Sequence, residues 1–238
     1  MRALIVCAIL VGVIGHSTPF AQAPGTQTAE SAMNFSGTYV RGGPVDVSSY
    51  TQPDVYPFTA EGERGYRAYV DPRRVDDCAV PGFPELLFYG YPMQIDQEDG
   101  GIVIRHESGN TTRFIHMDGA SPPAGQAHTE TGYSTGRWEG TELRIETTHL
   151  LEGQLTNRGQ PVSREARVTE RYWRNPGEQD LQLEVDVDDP VNYTQTVTLG
   201  REFVWSADEQ LRQWECVSLG QRDTAPNLDE VARMLEEL

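Results

Sequence analysis

The sequence predicts a mainly β protein, an antiparallel meander barrel or a sandwich, with a short helix on its N-terminal side and another at its C-terminus. Three observations carry this expectation. From Leu86 onward apolar residues recur with a period near two. Turn signals separate the segments at Ser108-Gly109-Asn110, Glu139-Gly140-Thr141 and Asn175-Pro176-Gly177. The run Leu181-Gln182-Leu183-Glu184-Val185-Asp186-Val187-Asp188 puts its Leu and Val residues on one face and its acids on the other. That is the pattern of an antiparallel sheet with one dry and one wet face. Sequential hairpins of this kind close into a barrel, which removes the sheet edges, or stack as a sandwich; alternation alone does not choose.

The elements follow in chain order. Residues 1–23 read as a signal peptide: Arg2 gives the positive start, Ala3 to Ile14 is apolar apart from Gly12, and Ala21-Gln22-Ala23 is a small-x-small cleavage pattern. The run is short for a membrane span, and Cys7 lies inside it rather than at a lipoprotein cleavage site. Residues 24–34 are a polar lead-in, and 35–238 read as a single β-rich domain. Phe35–Val40 is the first strand, and the Gly- and Pro-rich stretch Arg41–Pro57 an extended loop. Thr59 caps a short helix through Tyr69, with Glu61 and Glu63 in its first turn and Gly62 and Gly65 against it. Asp71–Pro84 is irregular. The strands are expected at Leu86–Tyr89, Met93–Asp96, Ile102–Glu107, Thr112–Met117, Tyr133–Trp138, Glu142–Leu150, Glu165–Trp173, Leu181–Val187, Thr194–Val204 and Leu211–Cys216. Those from Ile102 to Val187 are expected to be consecutive antiparallel neighbours. Asn227 caps a final helix whose Leu228, Val231, Leu235 and Leu238 share one face.

Charge narrows the partners. With 36 acidic and 19 basic side chains the formal net charge is −17, one unit more negative once the segment bearing Arg2 is removed. Such a surface repels nucleic acid and anionic membranes, so neither is expected as a partner. Two cysteines survive signal cleavage, Cys78 and Cys216. In an oxidising compartment an isolated pair reads as one disulfide; two buried thiols or a two-thiolate metal site are the alternatives.

Several residues could carry chemistry. Gly132-Tyr133-Ser134-Thr135-Gly136 matches the G-x-S-x-G pattern, but a strand follows where a nucleophile elbow needs a helix. His149 follows Leu143, Ile145 and Thr147 on one strand face, and Glu170 lies with Ala166, Val168 and Tyr172 on another. Each interrupts an apolar face. Placed together they would be either a general-base pair or a structural hydrogen bond. His106 and His116 on the hairpin Ile102–Met117 are expected to line a cavity. Fixed zinc spacing is absent, and no metal is expected. Tyr133, Arg137 and Tyr172 are further ligand-binding candidates, Arg137 as an anchor for a carboxylate if its strand face points inward. No cofactor is expected, because the chain has no Rossmann fingerprint, P-loop or C-x-x-C-H.

Some blocks resemble a family of uncharacterised secreted bacterial proteins. They are Asp77-Cys78-Ala79-Val80-Pro81-Gly82-Phe83-Pro84, Tyr91-Pro92-Met93-Gln94-Ile95, Arg113-Phe114-Ile115-His116-Met117-Asp118-Gly119, and Gly132-Tyr133-Ser134-Thr135-Gly136-Arg137-Trp138-Glu139-Gly140. Ala120 stands where the family has Arg, and Thr141-Glu142 where it has Asp-Thr. The resemblance implies export and no particular activity. Gly37-Thr38-Tyr39 is similar to the G-x-W start of lipocalin-like barrels, which favours the barrel. The expectation is a periplasmic or secreted barrel that binds a small, largely apolar molecule. The alternative is an acid–base enzyme, an isomerase, lyase or cyclase, on the same scaffold.

Overall fold

The computed structural model describes residues 33–43, 55–74, 78–98 and 100–216. The expected signal peptide and C-terminal helix lie outside these residues. The alternating segments form strands β1 (Gly37–Arg41), β2 (Met93–Glu98), β3 (Gly101–His106), β4 (Thr111–His116), β5 (Tyr133–Glu139) and β6 (Glu142–Thr148). After them come β7 (Gly153–Gln154), β8 (Pro161–Val162), β9 (Arg167–Arg174), β10 (Leu181–Asp188) and β11 (Val197–Ser206). Nine of them close into a barrel in the order β1-β11-β10-β9-β6-β5-β4-β3-β2, and β7–β8 form a separate ribbon. The fold is therefore the barrel and not the sandwich.

Period-two burial holds along the clearest strand from Leu183 onward, Gln182 being buried as well. Leu181, Leu183, Val185 and Val187 of β10 are fully buried, Asp188 is exposed, and Glu184 and Asp186 are half-buried against Arg171 and Thr198. The inward faces of β2, β3, β6, β9 and β11 join these side chains in one core.

One expectation about topology fails at β4. It pairs with β5 in parallel, through Ile115 with Ser134 and His116 with Thr135, while every other barrel pairing is antiparallel. The reason is a matter of parity: strand directions cannot alternate all the way round a ring of nine. Two expected strands are also absent. Leu86–Tyr89 belongs instead to a short helix, Glu85–Phe88, and Leu211–Cys216 is irregular. A four-residue apolar run carries no period that separates a strand from a buried helical turn.

Helix α1 (Ala60–Ala68) begins where expected: the Gly62 amide donates to Thr59 Oγ1 at 3.1 Å. Gly62, poor in helix propensity, is needed for packing, since a Cβ there would lie 2.1 Å from the Asn192 carbonyl oxygen. Helix α2 (Glu85–Phe88) follows Phe83, and both Phe83 and Leu87 are buried in the barrel core. Cys78 and Cys216 form a disulfide. It anchors the irregular 211–216 segment, where the Trp214 amide donates to Asn110 Oδ1 at 2.8 Å and the Trp214 ring meets Tyr91 edge-on. The bridge fits an extracellular location. Among the described residues no helix is long and apolar enough to cross a membrane.

Candidate functional site

Two polar places could matter in such a barrel: charges inside it, and the cleft at its mouth. Inside, β4 and β9 carry an ion pair. Arg113, 1 % exposed, donates to Glu170 Oε1 at 2.7 Å and to Oε2 at 3.2 Å. Its second nitrogen also reaches Ser134 Oγ and Thr147 Oγ1, and Tyr172 donates its phenol to Glu170 Oε2 at 2.9 Å. Its guanidinium carbon lies 3.8 Å from the centroid of the Phe83 ring, which closes over it. Burial, with the Glu170 charge beside it, pushes the Tyr172 hydroxyl well above the usual phenol range. Three donors thus occupy three of the roughly four acceptor positions of the Glu170 carboxylate. Glu170, Arg113 and Tyr172 line none of the described clefts. This arrangement ties β4, β5, β6 and β9 together inside the barrel.

The expected His149–Glu170 hydrogen bond is not formed. Strand β6 ends at Thr148, and His149 takes a positive φ of 58°, which rotates it off the inward face. Its Nδ1 lies 2.9 Å from Thr148 Oγ1, and its ring faces His128 at 5.4 Å in an open cleft with Glu146 and Glu165. Other expected site residues also separate. His106 points inward and is buried; burial, reinforced by the Arg113 charge, pulls its pKa down to about 3, so the ring is neutral. His116 and Tyr133 stack on each other at 4.5 Å on the outer face of the β4–β5 seam. Arg137 points outward and pairs with Glu139. Of the ligand-binding candidates, Tyr172 alone contacts Glu170, with which it shares the inward face of β9. Ser134, the serine of the G-x-S-x-G match, is a buried hydrogen-bonding partner of Arg113 and Thr147.

The mouth cleft is built from five places in the chain. Strand β11 points Val197, Leu199, Arg201 and Phe203 inward, and two of these, Leu199 and Arg201, line a cleft of about 400 Å³. Arg201, only 8 % exposed, is held by the carbonyls of Leu87 at 3.2 Å and Tyr89 at 2.9 Å and lies over the Phe88 ring. It thereby caps orphan carbonyls at the end of α2. Phe88 forms one wall. Tyr56 forms another, stacked on Phe58, which in turn stacks on Tyr193. Arg41 and Gly43 come from the end of β1, where Gly42 and Gly43 continue backbone pairing with Glu202.

Arg158 comes from the tight loop between β7 and β8. Its amide donates to Thr156 Oγ1 at 3.2 Å, and Gly159, at φ 86°, is pressed against the Tyr69 ring, leaving no room for a side chain. Sequence reasoning missed all three arginines. Arg201 carried a signal of the kind that singled out Glu170, a charge interrupting an apolar strand face. Arg41 and Arg158 lie outside such a pattern and meet it only through the fold.

No family model and no curated protein matches the chain. Among solved structures, a mutant form of the fluorescent protein UnaG aligns at 12% identity over 72% of this chain and 96% of that one, with a TM-score of 0.33. A likeness at that level supports no statement about function.

Proposed function

We propose that this chain binds a small, largely apolar molecule at the barrel mouth, in the cleft walled by Tyr56, Phe88 and Leu199. One observation carries the reading: inward-facing side chains of β11 line a cleft beside α2, while the strands behind them fill the barrel with packed side chains. A concave site with aromatic walls and a few placed polar groups is the usual form of a small-molecule site. The engagement of Glu170 by Arg113 and Tyr172 argues against acid–base catalysis at that centre. We also read the protein as exported, on the strength of Arg2 with the apolar run after it and of the bonded cysteines. The motif blocks around Cys78 and Trp138 support kinship with the secreted bacterial family they resemble.

Titration with the neutral fluorophore N-phenyl-1-naphthylamine tests the site. Saturable binding with one site per chain is expected. It should be lost in Gly43→Trp, because a Cβ at Gly43 meets nothing within 4 Å and the indole can occupy the cleft without disturbing the barrel. No saturable binding, or binding indifferent to Gly43→Trp, would overturn the reading. Native mass spectrometry of protein from its own host would then identify the natural occupant.

A further inference from the structure

The end of β6 brings together His128 and His149, and the backbone around them holds both in place. Residues 128–129 lie alongside 149–151, with Thr129 and Leu150 paired in parallel. The Thr129 amide donates to the His149 carbonyl at 3.0 Å, and the Leu151 amide donates to the Thr129 carbonyl at 3.0 Å. The two rings face each other with centroids 5.4 Å apart, in a cleft that Glu146 and Glu165 also line. This cleft shares no lining residue with the mouth cleft.

We infer that the His128–His149 pair binds a divalent first-row metal ion of the zinc class through its two Nε2 atoms, with water completing the ion's shell. Among the described residues no three His, Cys, Asp or Glu side chains are grouped to hold an ion, so the protein supplies two ligands and open positions remain. The ring spacing fits. Two imidazoles bound to one tetrahedral ion through bonds of about 2.1 Å have their centroids about 5 Å apart. The proton arrangement fits as well. His128 Nδ1 lies 2.7 Å from the Leu150 carbonyl, which can only accept, so the neutral ring carries its hydrogen on Nδ1 and its lone pair on Nε2. Thr148 Oγ1, 2.9 Å from His149 Nδ1, can accept in the same way and free the second Nε2. Such outer contacts are what orient a ligating imidazole. His149 also sits at φ 58°, a conformation costly for a residue with a side chain, and there its ring meets His128. The arginines of the cleft are balanced by carboxylates, Arg167 by Glu146 and Arg164 by Glu152. At long range the chain's net charge of −17 favours a cation. No fixed spacing announces the pair, because it forms only where residues 128–129 are laid against the end of β6.

Calorimetric titration of the full chain with zinc chloride tests the site. One saturable site per chain is expected, and excess Mg²⁺ should leave it intact, because Mg²⁺ takes oxygen ligands and competes only for carboxylates. His128→Gln should weaken Zn²⁺ binding at least about tenfold. His149→Asn should do the same, and asparagine accepts the positive φ. The thermal midpoint of each metal-free variant is measured alongside. Imidazole ¹H–¹⁵N spectra of the unmodified chain give a reading that needs no variant: Zn²⁺ should shift the Nε2 signals of His128 and His149 and leave those of His106 and His116 in place. Absence of saturable binding, displacement by Mg²⁺, binding that survives both substitutions, or shifts confined to other histidines would each overturn the inference.

Discussion

At position 170 a carboxylate occupies a place that the strand pattern reserves for an apolar side chain, and the fold answers it with Arg113 from across the barrel. Burying the pair is tolerable only because all of Glu170's partners are present at once. Arg113→Met should therefore cost about 3–5 kcal/mol, since it strands a buried carboxylate. Adding Glu170→Leu should recover a large part of that loss. Urea denaturation of the two single variants and the double variant checks this, and strictly additive losses would show that the pair is not coupled.

His106 gives a second test at the same scale. Its pKa falls from 6.5 to about 3 on folding, chiefly through burial and then through Arg113. Below pH 6.5 the unfolded chain binds a proton that the folded one refuses, so stability is complete above that pH and lost as pH drops toward 3. The slope should approach about 1.4 kcal/mol per pH unit in that window. His106→Gln should lower it by that amount, and an unchanged slope would show that the ring is not held neutral.

At the scale of elements, strand β10 shows why alternation was legible and where legibility ended. Val185 is fully buried, opposite Glu170 on β9 and Leu199 on β11. Val185→Asp would bring an unpaired charge into the core beside a carboxylate that already has its partners, and should cost several kcal/mol. A small change in the denaturation midpoint would contradict the assigned face. Most strands could be read because half-burial imposes a period of two on each of them. The position of Thr59 as a cap could be read because capping is local. The β4–β5 parallel seam could not, since it follows from the number of strands in the ring. Nor could the helical state of Leu86 and Leu87, which depends on what buries them. The candidate site was least legible of all. His149 kept the parity of an inward residue while its backbone had already left the strand, and Arg41, Arg158 and Arg201 come together only through ring closure and the β7–β8 loop.

At the scale of the whole molecule, the barrel closes through contacts between strands far apart in sequence, β1 with both β2 and β11. The disulfide reinforces that closure by joining residues separated by 138 positions. Closing so long a loop removes much of the unfolded chain's freedom, about 5 kcal/mol in the chain-entropy model, with measured values commonly about 2–4. The bridge also has a local task. It holds the irregular 211–216 segment, where the Arg212 amide donates to Glu107 Oε2 at 3.0 Å and Trp214 rests on Tyr91. Replacing both cysteines by serine should therefore do two separable things. The global unfolding midpoint should fall, by an amount worth about 2–5 kcal/mol. Trypsin should also cut after Arg212 under native conditions faster than it cuts within the barrel strands, because once the bridge is gone the segment is held by a few exposed hydrogen bonds to Asn110 and Glu107 and by the Trp214–Tyr91 contact. The barrel's own strand pairings do not involve either cysteine, so circular dichroism at low temperature should be unchanged. A midpoint and cleavage pattern equal to those of the bridged protein would show that the strand ring alone sets the stability of this fold.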